Sequence, residues 1–160
     1  MTNDFFVSFN SPQCGFMSIG FEGGGQEFHT TTAHAPHESA LSILLATLAD
    51  LLDKKSDGLE FLVQWNRDPE EFDFWLQRLN SEVKFEIWQY PSGRRLNAER
   101  RKVFVYTGNL LQFCNAFYKT FEQMDKDKDT DAFEQNWRQP FPEKEFKNFK
   151  QAFQKANSVY

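Results

Sequence analysis

Three histidines are the residues of this chain that could most readily carry chemistry. His29, His34 and His37 lie within nine residues of one another, and Glu38 follows the last of them. Imidazole and carboxylate groups are common zinc ligands. Their spacing, however, is not the i, i+4 pair that places two ligands on one helical turn. We therefore expect no bound metal and no cofactor.

Nucleophilic catalysis is the second chemistry to consider. Ser39 and Ser42 lie close in sequence to His37, and a histidine next to a serine is the usual general base for such a nucleophile. The glycine pattern of a nucleophile elbow surrounds neither serine. The sequence therefore predicts that the protein is not an enzyme.

An arginine loop, residues 94–101, follows the central part of the chain. It contains four arginines: Arg94, Arg95, Arg100 and Arg101. Guanidinium groups bind phosphates and carboxylates, but Glu99 interrupts the group and the protein as a whole is acidic, so a solvated hairpin loop is favoured. The alternative function is a small-ligand-binding protein or enzyme that uses the His29/His34/His37 region with this loop. A buried pocket joining the two would favour that alternative.

An acidic segment, residues 124–131, resembles the start of an EF-hand loop. Its aspartates occupy alternate positions: Asp125, Asp127, Asp129 and Asp131. Thr130 stands where the loop needs glycine, and Asn136 stands where a bidentate glutamate should complete the calcium shell. The segment is therefore predicted to be a mobile charged linker and not a calcium site.

The elements that must position these groups are organised around residues 59–90, which are predicted to form a three-stranded meander. Apolar and polar residues alternate in three runs, as expected when successive side chains point to opposite faces of a sheet. Turn-forming residues separate the runs, with Pro69 in the first turn and Asn80 with Ser81 in the second.

Further strands and helices are predicted on both sides of this meander. Strands are expected at residues 5–10, 16–22, 26–32 and 103–106, and helices at 40–52, 110–124 and around 133–137, with a last helix from 141–142 onward. The fold class is therefore α+β: residues 1–160 form a single domain with an antiparallel meander sheet of about seven strands, helices packed on one face and a helical C-terminus.

The outer face of the meander is predicted to be aromatic and acidic. If the alternating apolar residues face the helices, the opposite face carries six residues of the meander: Trp75, Trp88 and Tyr90 together with Asp73, Glu86 and Lys84. Glu70 and Glu71 flank this face at the turn. Two interpretations remain open. The C-terminal helix could cover the tryptophans, or the face could be a partner-binding surface, since exposed aromatics with a charged rim commonly concentrate binding energy.

Composition limits the partners and the compartment. The chain has 160 residues and a net charge of −5, which argues against nucleic-acid binding and favours a basic protein partner. It lacks a run of apolar residues long enough for a membrane span, so the expected location is the cytoplasm. Cys14 and Cys114 are accordingly expected to be reduced, buried thiols, with Cys114 on the packing side of its helix.

Two aromatic patterns carry a resemblance to a known group of proteins. They are Val63-Gln64-Trp65-Asn66-Arg67-Asp68-Pro69 and Phe133-x3-Trp137-x3-Phe141-Pro142-x3-Phe146. The chain resembles, over roughly residues 40 to 153, small bacterial proteins of which some are similar to polymorphic-toxin immunity proteins. The resemblance implies no catalytic residues. It implies a non-enzymatic protein-binding domain, most specifically one that neutralises a cognate toxin by direct binding.

Overall fold

Two antiparallel sheets and four helices make up the part of the chain that the computed structural model describes, which is residues 4–33, 40–66 and 70–158. The first sheet has the order β1 (Phe5–Phe9), β2 (Phe16–Gly23), β3 (Gln26–Ala33). The second has the order β4 (Glu60–Asn66), β5 (Glu71–Leu79), β6 (Glu82–Tyr90), β7 (Arg101–Asn109). The helices are α1 (Ala40–Leu51), α2 (Leu110–Asp127), α3 (Phe133–Trp137) and α4 (Glu143–Asn157).

Alternation along the strands gives each sheet one apolar face. In the second sheet, Phe74 on β5 pairs with Val63 on β4 and with Ile87 on β6, and all three side chains are fully buried. Tight turns join the strands where the sequence permits them. Gly24 and Gly25, between β2 and β3, have φ of 58° and 79°, a backbone region that glycine enters without a Cβ clash.

Phe21 marks the centre of the core, where the two sheets and α2 meet. Its ring centroid lies 5.3 Å from Phe85 of the second sheet and 5.7 Å from Phe117 of α2. Phe28 on β3 similarly meets Phe72 on β5 edge-on at 5.2 Å. The apolar faces of the two sheets therefore pack against each other, and the opposite faces of both sheets point away from the core.

Helices α1 and α2 lie on the core side of the second sheet, and α3 contacts β2 of the first sheet. Helix α2 begins after Asn109, whose side chain accepts a hydrogen bond from the Gln112 backbone N–H over 3.0 Å, as an N-cap residue does. Helix α1 packs against β4, and α4 packs against α1 and α2. The predicted helices are confirmed, including the short one at Phe133–Trp137. The sequence before α1 contains Pro36 and Glu38, which favour the start of a helix, but both lie outside the described residues.

The single seven-stranded meander predicted from the sequence is wrong, although the α+β class, the antiparallel pairing and the helical C-terminus are confirmed. Strand β3 does not pair with β4. Helix α1 lies between the two strands in the sequence, and β4 is the first strand of a second sheet. Both sheets can then bury their Phe-rich faces against each other. At the β7 edge of the second sheet, the backbone N–H of Val105 donates a hydrogen bond to Gln26 Oε1 of the first sheet over 2.9 Å.

Two smaller expectations also need correction. Helix α2 continues to Asp127, so Asp125 and Asp127 belong to its last turn and the linker is shorter than predicted. Lys128 fixes this end of the helix by pairing with Asp125 over 2.8 Å and with Glu143 of α4. Cys114 is buried as expected, but Cys14 is exposed, and both thiols are free. Within the described ranges, no helix is long and apolar enough to cross a membrane.

Candidate partner-binding surface

The outer face, the side of β4–β7 that points away from the core, carries the aromatic and acidic residues predicted for it. Directly paired residues on neighbouring strands share a face. The two central rows of this face are Leu62–Trp75–Glu86–Val105 and Gln64–Asp73–Trp88–Lys102. Trp75 and Trp88 are therefore diagonal neighbours, and so are Asp73 and Glu86. The four side chains form a two-by-two pattern of aromatics and acids.

Trp88 is held in place from several sides. Its indole N–H donates to Glu86 Oε2 over 3.0 Å. The Arg100 guanidinium lies 4.3 Å from the centre of its ring, and the Lys102 ammonium lies 5.3 Å from it, both within the range of cation–π contacts. The ring is half-buried. Contacts within the chain therefore fix the orientation of the Trp88 ring.

Trp75 lies in a more apolar part of the outer face. It pairs across the strands with Leu62, which is 54% exposed, and the Lys84 ammonium lies 5.7 Å from its ring centre. Trp75 is also half-buried. Together Trp75 on β5 and the exposed Leu62 on β4 form an apolar patch that reaches the edge strand of the sheet.

Glu86 is the acid at the centre of this face, and it is only 7% exposed. Its carboxylate pairs with Lys84 over 3.3 Å and with Lys102 over 3.7 Å, in addition to accepting the Trp88 indole N–H. A buried carboxylate needs such partners, because its desolvation is otherwise costly. The charge of Glu86 is therefore compensated within the chain.

Asp73 and Glu71 are buried and compensated in the same way, by Arg95 of the arginine loop. The Arg95 guanidinium pairs with Asp73 and reaches Glu71 over 3.4 Å. Arg95 has φ of 48°, a left-handed conformation that is uncommon for a residue with a side chain. The prediction of a solvated loop is therefore wrong for Arg95, since the two nearby carboxylates bind it. Arg94, Arg100 and Arg101 are exposed.

Tyr90 and Glu70 complete the predicted set. The Tyr90 hydroxyl donates to Asp73 Oδ2 over 2.9 Å, and Arg95 lies 5.2 Å from the Tyr90 ring centre. Tyr90 is consequently buried, and it supports the acids instead of offering an exposed anchor. Glu70 lies directly before β5 and is half-buried.

The C-terminal helix does not cover the two tryptophans. Helix α4 packs on α1 and α2 through Phe149 and Phe153, which meet Tyr118 on the far side of α2. Helix α2 in turn packs on the core side of the second sheet, where Phe113 lies 5.4 Å from Phe85. The packing of α4 on α1 and α2 therefore excludes the interpretation in which this helix covers Trp75 and Trp88.

The alternative site was expected to combine the histidine region with the arginine loop. His29 lies on β3, on the face of the first sheet that points away from the core, with its side chain 68% exposed and 3.6 Å from Glu27. The shallow groove beside His29 is lined by residues of β1–β3 and by Asn10, which follows β1. Among the described residues, no arginine of the arginine loop lines this groove. Arg95 belongs to the outer face of the other sheet. The structure does not bring His29 to the loop, and His34 and His37 lie outside the described residues.

The sequence interpretation missed the cations that neutralise the outer face. Arg95, Arg100 and Lys102 each contact a residue of the predicted site, yet they were assigned to a separate loop and strand. One signal was available: a face with several carboxylates, next to a loop with four arginines, contains charges that can pair. Within the described ranges, no group of three or more His, Cys, Asp or Glu side chains is arranged to hold a metal ion.

Comparisons of the chain with protein-family models, with curated proteins and with solved structures found no match.

Proposed function

We propose that the chain is a non-enzymatic protein-binding domain and that the outer face is its contact surface. The observation that supports this most directly is the position of Trp75 and Trp88. Both are half-buried side chains on one sheet face that no described helix covers, whereas Trp65 and Trp137 are fully buried in the core. Tryptophan is enriched among the residues that dominate binding energy.

The size of the face sets a requirement on the partner. Three strand spacings of about 4.8 Å and strands of about 26 Å give a sheet face on the order of 400 Å². A stable complex buries about 800 Å² on each partner. The contact must therefore extend beyond the strands, and the exposed arginines of the arginine loop provide an adjoining surface.

Toxin immunity is the most specific form of this proposal, and it rests on the resemblance to immunity proteins. Such a protein would bind its cognate toxin directly and would need no catalytic residues. The net charge of −5 was the reason to expect a basic partner. At the outer face, however, Asp73, Glu71 and Glu86 are already paired with cations, so a basic partner would have to gain its attraction from acids elsewhere on the chain.

Site-specific photo-crosslinking in the native host tests the contact surface. A photoreactive amino acid at Leu62 reports on the outer face, and the same group at Ser18, an exposed position on the far side of the first sheet, is the control. We expect one protein to be crosslinked from position 62 and not from position 18. Crosslinking of the partner from position 18 alone would overturn the proposal.

If a toxin gene lies directly beside the gene of this chain, co-expression of the two proteins tests toxin immunity. Trp75→Ala should weaken toxin binding by about 2 kcal/mol, the cost of a central anchor, and should reduce protection. Trp75 is the sharper choice of the two tryptophans because its indole makes no hydrogen bond among the described residues. If the folded Trp75→Ala protein binds and protects as well as the parent, the outer face is not the contact.

A further inference from the structure

The cations around Trp88 are exposed and the acid among them is buried, and this difference bears on the charge of a partner that could bind there. Lys84 and Lys102 are 41% and 42% exposed in their side chains, and Arg100 is exposed as well. The acid among them, Glu86, is 7% exposed. A partner that approaches the face at Trp88 therefore meets cations before it meets the buried acid.

We propose that the outer face binds an acidic segment of its protein partner, with carboxylates on the cations around Trp88 and apolar side chains on Trp75 and Leu62. This proposal rests on the proposed function of the outer face as a protein contact. It replaces, for this surface, the basic partner expected from the net charge.

The balance of charge supports an acidic segment. The cations beside Trp75 and Trp88, which are Lys84, Arg100 and Lys102, have exposed side chains. The two acids of the same rows, Asp73 and Glu86, are buried and already paired with cations of the chain. Lys84 and Lys102 share the Glu86 carboxylate, and Lys102 and Arg100 share the Trp88 ring. Neighbouring cations of this set therefore lie within about one Debye length of each other, roughly 8 Å at physiological salt, so an incoming carboxylate interacts with more than one of them. A basic segment would meet the same cations and be repelled.

A single-stranded nucleic acid is the other anionic partner that aromatic and cationic groups on a sheet commonly bind. Base stacking needs a free aromatic face, and the Arg100 guanidinium occupies a face of Trp88 at 4.3 Å. The net charge of −5 also repels an extended polyanion more strongly than it repels a short acidic segment. The observations therefore favour protein over nucleic acid.

Titrations of the full-length chain with short probes test the proposal. The probes are a synthetic peptide of glutamate and leucine, the same peptide with lysine in place of glutamate, and an oligothymidylate of similar length. Binding is followed by the NMR signals of the indole N–H groups, assigned with Trp→Phe variants. The fully buried Trp65 and Trp137 provide internal references.

We expect the glutamate peptide to shift the signals of Trp75 and Trp88 at low salt, and added salt to weaken this binding. The double variant Lys84→Gln, Lys102→Gln should bind it roughly tenfold more weakly, the combined effect of two rim charges. The matched control is Lys144→Gln, Lys147→Gln on the exposed face of α4, which should bind as the parent does.

Three results would overturn the proposal: tighter binding of the lysine peptide or the oligothymidylate, binding by the double variant equal to that of the parent, or no binding of any probe. None of these would decide the proposed function. That function is tested by the crosslinks from position 62, which do not depend on the charge of the partner.

Discussion

Trp88 donates its indole N–H to the carboxylate of Glu86, which lies 3.0 Å away and two residues earlier on the same face of β6. The bond links the two properties of the outer face. It gives the buried carboxylate of Glu86 one of its hydrogen-bond donors, and it fixes the orientation of the half-buried Trp88 ring. The stability of the buried acid and the orientation of the ring therefore depend on the same contact.

The substitution Trp88→Phe should separate these two roles. Phenylalanine keeps an aromatic ring but leaves the buried Glu86 carboxylate without one donor, so the free energy of unfolding should fall by about 1–2 kcal/mol. Trp75→Phe, the matched control, removes no such bond and should change it by less than about 0.5 kcal/mol. Urea unfolding measures both. Equal stability of the two variants would show that the Trp88–Glu86 bond contributes nothing.

Arg95→Met should destabilise the protein more strongly. It removes the cation from the buried Asp73 carboxylate, which would then keep only the Tyr90 hydroxyl among the described partners. Loss of one member of a buried ion pair costs about 3–5 kcal/mol. Arg94→Met, on the exposed neighbour, is the control and should have little effect. A small loss for Arg95→Met would mean that water replaces the guanidinium.

The strands were predictable because alternation directly encodes which side chains share a face. Val63 and Trp65 on β4 and Phe72 and Phe74 on β5 alternate with polar residues, and the structure buries all four. The number of sheets was not predictable in this way. Alternation states that a strand has a buried face, but whether β3 pairs with β4 or packs across from it depends on long-range contacts such as Phe28–Phe72.

The candidate site was predictable in its composition and not in its electrostatics. Alternation along β5 and β6 is enough to place Trp75, Trp88, Asp73 and Glu86 on one face. The burial of the acids depends on Arg95, which is 22 residues from Asp73 in sequence and reaches it only because the loop backbone turns back over the sheet. Local patterns do not report such a contact.

The two cysteines should differ sharply in reactivity. Burial raises the pKa of the Cys114 thiol, and the thiolate is the reactive form. Cys14 is exposed, so a thiol reagent should label Cys14 in the native protein and Cys114 only after unfolding. The Cys14→Ser variant isolates the buried thiol. Native labelling of Cys114 as rapid as that of Cys14 would contradict this expectation.

The raised pKa of Cys114 also has a consequence for stability. In the unfolded chain the thiol ionises at its ordinary pKa, whereas in the folded chain it stays neutral to higher pH. The stability that comes from the neutral thiol is therefore fully present below the ordinary pKa and is lost as the pH rises above it. Cys114→Ala should flatten the alkaline part of the pH–stability curve. An unchanged alkaline slope would show that other groups determine it.

Arg78 should be important for the junction between α1 and the second sheet. Its side chain is buried, and it donates from Nη1 to the Leu51 carbonyl over 3.1 Å and from Nε to the Asn80 carbonyl over 2.8 Å. Arg78→Met leaves both carbonyls without this donor, so we expect a loss of about 2–3 kcal/mol in thermal or urea unfolding. Lys55→Met, at a nearby exposed position, is the control. If Arg78→Met were as stable as Lys55→Met, the hydrogen bonds of Arg78 to the Leu51 and Asn80 carbonyls would contribute nothing to stability.

Calcium should leave the acidic segment unchanged, because three of its four aspartates already have side-chain partners. Asp125 pairs with Lys128 over 2.8 Å, Asp127 accepts from Gln123 over 2.8 Å, and Asp131 accepts from Ser11 over 2.7 Å. Asp125 and Asp127 also belong to the last turn of α2, whereas an EF-hand ligand set requires a loop. A bound ion would have to break these contacts and unwind the end of the helix.

Calorimetry should accordingly detect no calcium binding in the micromolar range, and the unfolding temperature should be the same with calcium as with a chelator. Lys128→Gln makes the test stricter, since it removes the cation that pairs with Asp125 and with Glu143. If the aspartates were a weak calcium site masked by this lysine, the variant would bind calcium more tightly than the parent. We expect both proteins to remain unaffected, because removing Lys128 supplies neither the glycine nor the bidentate glutamate that the sequence lacks at Thr130 and Asn136.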